Sequence, residues 1–302
     1  MKWRSFSRCW WALVSACGAL ACLPKDTRPT PGALLVTATA NDALSSGIPA
    51  SQTADGWSIV FDRALASLGH ISVDGDHCSS YSEARYDRVL DLLTAGPQKV
   101  SESYAIGQCD FGFRVSNPAD DAVLGSGVTA NDVVFLRTAG SDKYAGPSGI
   151  SIYVKGHASR AGLTKSFAWA FRQQLRYKQC HADTDGGVGL NLAENTPLTV
   201  DLSVHGEALF SDNPDRTLAK VRFAPIADAD SVTGDGDGIV TLDELSAVSL
   251  DSLVVDGTYG GPDGGLPPGK TLEDYIYLSS FPQMVQFGDV GACTISFGAG
   301  EN

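Results

Sequence analysis

The chain has 302 residues, a formal net charge of −13 and 43% hydrophobic residues, so it can bury the core of one large β domain or of two smaller ones. The charge is uneven, because residues 23–180 hold 15 basic and 15 acidic residues whereas residues 181–302 hold 4 and 20. A field of this sign excludes nucleic acid as an expected partner, disfavours electrostatic attachment to anionic lipid, and favours cations.

Residues 1–22 have the pattern of an export signal, with a basic start followed by an apolar run that is too short to span a membrane. The four residues that end at Cys17 resemble the bacterial lipobox, in which the cysteine is lipidated and becomes the first mature residue. Cys22 is a second and poorer candidate, and plain secretion is the alternative. The resemblance implies a lipid-anchored protein of the bacterial outer membrane or cell surface, with a periplasmic or secreted location as the alternative. Residues 23–32, rich in proline, would form a tether.

Four cysteines lie beyond the export signal, and an even number in an exported chain predicts two disulfides. Three connectivities are compatible with four cysteines. We prefer Cys78 with Cys109, which would link neighbouring strands, and Cys180 with Cys293, which would tie the C-terminal end to the body. A metal–thiolate site is the weaker alternative, because no two of these cysteines have CxxC-like spacing.

Residues 33–208 show the apolar–polar alternation of half-buried antiparallel strands, and we predict a mainly β fold built as an antiparallel β-sandwich. Strands are expected at 33–39, 57–61, 65–73, 111–115, 150–154, 167–177 and 198–204. A tight turn is expected at 74–76. Thr129 and Asp132 have the spacing of a capping box, so a short helix should begin there.

Residues 235–244 alternate acidic side chains with glycine and end in a glutamate. If Gly238 makes the sharp turn, Asp235 and Asp237 point oxygens inward, Ile239 offers its backbone carbonyl and Glu244 offers a bidentate carboxylate. Six to eight oxygens on a tightly curled backbone are what Ca²⁺ requires. This spacing resembles the calcium loop of the EF-hand family.

The resemblance implies a Ca²⁺ cofactor between two flanking helices, which we expect at 218–227 and 242–248, the second N-capped by Thr241. The chain departs from the family at the first position, where Thr233 replaces aspartate and Asp230 lies upstream. The candidate ligands are therefore Asp230, Asp235, Asp237, Ile239, Thr241 and Glu244. A single hand points to a structural ion held at roughly 10⁻⁴ to 10⁻³ M. The alternative is an acidic turn without metal.

The segment 209–302 is predicted to be an EF-hand-like helical excursion followed by a C-terminal helix and strand that pack on the sandwich. Residues 256–270 contain six glycines and three prolines, which is typical of a loop or lid. Thr271 should cap a final helix that breaks at Pro282, and a last strand is expected at 294–297.

Catalytic motifs are scarce. No Gly-x-Ser-x-Gly occurs, and the five histidines lack the i, i+4 spacing of helical zinc sites. We expect a calcium-binding, lipid-anchored envelope protein that binds or displays an unidentified surface ligand, and an enzyme is less expected. One alternative is an exported hydrolase, for example one acting on glycosides, with carboxylates from distant strands. Another is a periplasmic copper or zinc protein in which His157, His205 and His181 meet.

Overall fold

β-Strands are the main element of the chain, as the alternation predicted. The computed structural model describes residues 29–82, 84–146, 148–181, 189–253, 258–260, 269–288 and 291–298. The export signal with Cys17, most of the tether and most of the glycine-rich segment 256–270 lie outside the described residues. Residues Pro31–Asn302 form one compact unit.

Five strands lie in the first part of the chain: β1 Gly32–Ala40, β2 Ser58–Ser80, β3 Ala84–Asp91, β4 Gln98–Val115 and β5 Val123–Leu124. The two strands that we predicted at 57–61 and 65–73 are one strand of 23 residues. The turn expected at 74–76 is wrong, because the β2–β4 ladder continues past it with a register shift between Asp74 and His77. Gly75, at φ +133°, therefore belongs to a bulge and not to a chain reversal.

Eight more strands follow among the described residues: β6 Ile152–Arg160, β7 Leu163–Phe171, β8 Gln174–His181, β9 Leu190–Leu192, β10 Leu198–Val204, β11 Ile239–Val240, β12 Val285–Phe287 and β13 Ala292–Gly298. The β6–β7 hairpin turns at Ala161 and Gly162, which both have positive φ, as a tight two-residue hairpin requires. The apolar face predicted at 167–177 is divided between β7 and β8.

All thirteen strands belong to one sheet, whose longest path is β11-β7-β6-β2-β4-β1-β10-β12. The pairs β1–β10, β3–β5 and β7–β11 are parallel and the others are antiparallel. The purely antiparallel arrangement that we predicted is therefore wrong, and the sandwich is not confirmed. Parallel partners need long connections. The partners β1 and β10 are more than 150 residues apart in the chain, so local alternation could not reveal their pairing.

The core is rich in aromatic rings that face one another across the sheet. The indoles of Trp57 and Trp169 are fully buried. The ring of Phe167 lies 5.8 Å from that of Phe61 and 5.5 Å from that of Phe210. Trp169 also donates its Nε1 proton to the carbonyl of Val240, at 3.0 Å, so the core continues directly into strand β11.

The described helices are short: α1 Asp42–Ser45, α2 Ala130–Leu136, α3 Ala224–Asp228, α4 Leu242–Leu245 and α5 Leu272–Tyr275. Single π turns extend α3 over Ala229–Thr233 and α5 over Ile276–Ser280. Short 3-10 turns lie at Ala50–Gln52, Gly206–Phe210, Leu250–Ser252 and Phe281–Gln283. Capping boxes start α2, α4 and α5, which confirms the predicted N-caps Thr129, Thr241 and Thr271.

The helix expected at 218–227 begins later than predicted. Pro225 lies in its first turn, and proline is tolerated there because it has no N–H to donate. Leu218 instead belongs to a turn in which its N–H donates to the carbonyl of Asp215, and its side chain is exposed. The second helix ends at Leu245, short of Val248. The long helix pair of an EF-hand is therefore not confirmed.

Two disulfides join strands within the sheet. Cys78–Cys109 links β2 to β4, and Cys180–Cys293 links β8 to β13. The preferred pairing is confirmed. Disulfides persist in oxidising compartments, so this protein works outside the cytoplasm. Among the described residues, no helix is long and apolar enough to cross a membrane.

Candidate metal site

The acidic loop between α3 and α4 is anchored to the sheet by strand β11. Ile239 and Val240 pair in parallel with Ser166 and Phe167 of β7, and the N–H of Ser166 donates to the carbonyl of Gly238 at 2.8 Å. The side chain of Val240 is buried. The sheet edge therefore holds one side of the loop in place.

Three aspartates converge in this loop. Carboxylate oxygens of Asp230, Asp235 and Asp237 lie within 4.8 Å of one another, the first buried and the other two exposed. In the described part of the chain this is the only group of three or more His, Cys, Asp or Glu residues close enough to share an ion. These are three of the six ligands that we predicted.

Hydrogen bonds from the backbone set the direction of each of these carboxylates. Asp230 accepts from the N–H of Gly238 at 3.2 Å, Asp235 from Asp237 at 3.1 Å, and Asp237 from Ile239 at 2.7 Å. Each bond uses the Oδ1 atom. The loop therefore curls around its acidic side chains, and the Oδ2 atoms of Asp235 and Asp237 are left for solvent or a cation.

Lys165 is the residue of this site that sequence analysis missed. Its buried ammonium forms an ion pair with Oδ2 of Asp230, whose side chain is fully buried. Burial would raise the pKa of Asp230, but the hydrogen bonds from Lys165 and from the N–H of Gly238 outweigh it and hold that pKa below its ordinary value. A protein cation thus already neutralises one of the three carboxylates.

Glu244 lies beside the loop but caps the helix. Its Oε2 accepts from the N–H of Thr241 at 2.8 Å and from the Thr241 hydroxyl at 3.1 Å, and its Oε1 accepts from the N–H of Asp235 at 3.3 Å. Glu244 is outside the three-carboxylate group. The glycine at position 234 leaves room for the Glu244 carboxylate, because a Cβ at Gly234 would lie 2.0 Å from Oε1 of Glu244.

Asp230, and not Thr233, contributes the third carboxylate of this group. The hydroxyl of Thr233 donates to the carbonyl of Ala229 at 2.9 Å, so it points along its own helical turn. The N–H of Gly238 reaches Asp230 instead. Asp230, which lies upstream of Thr233 in the sequence, therefore comes next to Asp235 and Asp237.

The histidines expected to form a copper or zinc site have separate partners. His157 faces Asp62 at 3.2 Å, and His205 faces Glu207 at 3.0 Å. His181 ends strand β8 opposite Ala292. Because no histidine belongs to a group of three potential ligands within the described ranges, the structure does not bring these side chains together.

Comparison of this chain with protein-family models, with curated proteins and with solved structures found no match. A function for this chain is therefore inferred from its own geometry.

Proposed function

We propose that the protein is an exported, lipid-anchored envelope protein whose aspartate loop binds a structural Ca²⁺ ion and whose sheet body binds or displays a surface ligand. The observation behind this proposal is the convergence of Asp230, Asp235 and Asp237 within 4.8 Å. Carboxylate and carbonyl oxygens are the ligands that hard cations such as Ca²⁺ prefer. Like-charged carboxylates this close repel one another unless a cation or proton lies among them.

A structural role suits the position of the loop. An ion shared by Asp230, Asp235 and Asp237 would tie the loop to the π turn that extends α3, while β11 already joins the loop to β7. Calcium bound only to the folded state raises stability by mass action. Because the two available aspartates are exposed, the affinity should lie in the range of extracellular modules, roughly 10⁻⁴ to 10⁻³ M.

The ion pair of Lys165 with Asp230 shows how the loop would be stabilised in the alternative, in which it holds no metal. If the lysine ammonium is the resident cation, the loop keeps its shape without metal. If Ca²⁺ binds, it shares Asp230 with Lys165 and draws its remaining oxygens from Asp235, Asp237, the carbonyl of Ile239 and water. Glu244 would complete the cage only by giving up one of its bonds to the helix start.

The body is proposed to fold into a sandwich. Strands β1 and β10 separate β12 from β4 in the sheet path, yet the ring of Phe287 in β12 lies 5.2 Å from the ring of Phe111 in β4. The hydroxyl of Tyr177 in β8 donates to the carbonyl of Pro282 at 3.0 Å. A contact between strands that are not neighbours, such as the one between β12 and β4, is expected when a sheet curls over its own core.

A calcium titration tests the metal site. In the exported, oxidised protein, we expect millimolar Ca²⁺ to raise the melting temperature, and the double variant Asp235→Asn/Asp237→Asn to weaken Ca²⁺ binding at least about tenfold in calorimetry, because it removes two charged ligands. Asp243→Asn, an exposed aspartate in α4 outside the group, is the matched control and should bind like the wild type. Equal binding by the double variant, or no heat with Ca²⁺ at all, would contradict the proposal.

The lipid anchor is tested separately by mass spectrometry of the membrane-bound protein. We expect a diacylated mature N-terminus at Cys17, and Cys17→Ser should release the protein from the membrane fraction. Cys22→Ser is the matched control and should remain membrane-bound. Release by the control alone would assign the anchor to Cys22, and retention of both variants would contradict lipidation at either position.

A further inference from the structure

A second candidate site lies away from the aspartate loop, where the end of β10 and the 3-10 turn Gly206–Phe210 meet the helical turns that follow α5. It is a pocket of about 340 Å³ whose wall includes His205, Glu207, Arg216, Tyr275 and Ser280. This volume is at the lower end of the range for small-molecule sites. None of its lining residues belongs to the loop between Asp230 and Glu244.

A chain of hydrogen bonds fixes the imidazole of His205. The amide oxygen of Asn41 accepts from the N–H of Leu44 at 3.0 Å, because Asn41 is the N-cap of α1. The amide nitrogen of Asn41 must therefore face Glu207, and it donates to Oε2 at 2.7 Å. The other carboxylate oxygen lies 3.0 Å from Nδ1 of His205. The amide nitrogen of Asn41 also lies 3.2 Å from Nδ1 of His205. Because a carboxylate can only accept, the tautomer that pairs with Glu207 carries its proton on Nδ1 and, in a neutral ring, presents a lone pair on Nε2.

The ionisation of Glu207 is consistent with this arrangement. Burial alone would raise the pKa of Glu207, but the hydrogen bonds from His205 and Asn41 outweigh burial and hold that pKa below its ordinary value. A carboxylate behind one ring nitrogen orients the ring and strengthens the other nitrogen as an acceptor or base. The acceptor of His205 is thus directed and held by the fold.

Two buried polar atoms of this pocket have no partner in the described residues. Nε2 of His205 and the hydroxyl of Ser280 are buried and make no hydrogen bond, and the two residues expose only 8% and 3% of their surface. Leaving a buried acceptor unpaired destabilises the fold, because the group has lost its hydrogen bonds to water. Groups of this kind in a pocket are the expected contact points of a ligand that supplies the missing donor.

The charged side chains around the pocket indicate that its ligand carries a negative charge. Arg216 and Lys220 line it and are exposed, whereas the only acidic lining residue, Glu207, is engaged by His205 and Asn41. Arg216 donates to Gln286 through one Nη atom, which holds the guanidinium near the wall. In a chain of net charge −13, two cations beside one pocket favour an anion there.

We propose that this pocket binds a small organic acid that carries a hydroxyl group and a short apolar part. The carboxylate lies against Arg216 and Lys220, the hydroxyl donates to Nε2 of His205 and contacts Ser280, and the apolar part packs near Tyr275. Binding of this acid does not require calcium, and the ligand is an organic anion whereas the aspartate loop would bind a cation.

Calorimetry with simple probes in the presence of chelator tests this inference. The probes are 3-hydroxybutyrate, 3-hydroxyoctanoate and 4-hydroxyphenylacetate, which differ in apolar size. We expect at least one to bind. Its analogue without the hydroxyl, and its methyl ester without the charge, should bind about tenfold more weakly or worse, because each loses a hydrogen bond to a buried or charged group.

Variants then assign the contacts. Arg216→Met/Lys220→Met changes only exposed side chains and should weaken the best probe about tenfold, whereas Lys99→Met, an exposed lysine on β4, should leave binding unchanged. His205→Gln should remove the preference for the hydroxyl, with melting curves confirming that it folds. No heat from any probe up to about 10 mM, which corresponds to a free energy weaker than about −3 kcal/mol, would overturn the proposal and leave the two buried atoms to water. Equal binding of acid and ester would overturn it as well.

Discussion

The aspartate loop and the His205 pocket differ in how their buried polar groups are paired. Each contains buried polar groups, which are costly unless they are paired. In the loop, the buried carboxylate of Asp230 is fully engaged by Lys165 and Gly238. In the pocket, the ring of His205 is oriented by Glu207, but its buried Nε2 atom has no hydrogen-bond partner in the described residues. The loop is therefore complete in the folded chain, with metal as an addition, whereas the pocket has an acceptor prepared for something outside the chain.

The largest effect should come from removing the cation of the loop. Lys165→Met leaves Asp230 buried and unpaired, so we expect the free energy of unfolding in chelator to fall by about 3–5 kcal/mol in urea titrations. Lys155→Met, an exposed lysine on the neighbouring strand β6, is the control and should change it by less than about 0.5 kcal/mol.

If Ca²⁺ and Lys165 share Asp230, the variant Lys165→Met should also be stabilised more by Ca²⁺ than the wild type. A variant as stable as the wild type in chelator would show that the loop does not depend on its internal cation, and the comparison with the pocket would fail.

A smaller effect is expected at the pocket. Glu207→Gln weakens the charged hydrogen bond to His205 and should cost about 1.5 kcal/mol near neutral pH. Because the pKa of Glu207 is depressed in the fold, its contribution is present above the ordinary glutamate value of 4.5 and is lost as the pH falls through the folded pKa. The stability difference between wild type and variant should therefore shrink on acidification, as measured by denaturation at pH 7, 5 and 3. A difference that grows toward low pH would contradict this assignment.

The smallest effect should come from Glu244→Gln. Glu244 caps α4 and accepts from the N–H of Asp235 without any ion, so we expect a loss of about 1 kcal/mol in chelator as well as in Ca²⁺. The melting temperatures of wild type and variant in both conditions give the answer. A loss confined to Ca²⁺ would mean that the glutamate leaves the helix start to bind the ion, as the EF-hand resemblance implies.

Local signals in the sequence predicted local structure well. The capping boxes at Thr129 and Thr241 depend on residues three apart, and the structure has both. The disulfide pairing was confirmed because four cysteines allow few choices. The helix expected at 218–227 begins only at Ala224, because Pro225 fits the first turn of a helix and not its interior.

Contacts between distant parts of the chain were not predictable in this way. Lys165 meets Asp230 across 65 residues, and Asn41 meets Glu207 across 166. The sequence spacing of these pairs does not predict their contacts. The residues come together because strands that are distant in the chain pair with one another. The aspartates of the loop could be read from the sequence, whereas their cation and the whole pocket could not.

The bond between Cys180 and Cys293 turns residues 180–293 into a covalent ring of chain that contains the three aspartates of the loop and the residues that line the pocket. One backbone cut anywhere in this ring therefore releases no fragment while the bond is intact. Protease-nicked protein outside the cell would keep its size on a non-reducing gel and separate into two pieces only after reduction. The last strand also has to reach the same compartment as β8 before the ring can close, so a chain stalled during export would remain open, with its terminal thiol unpaired.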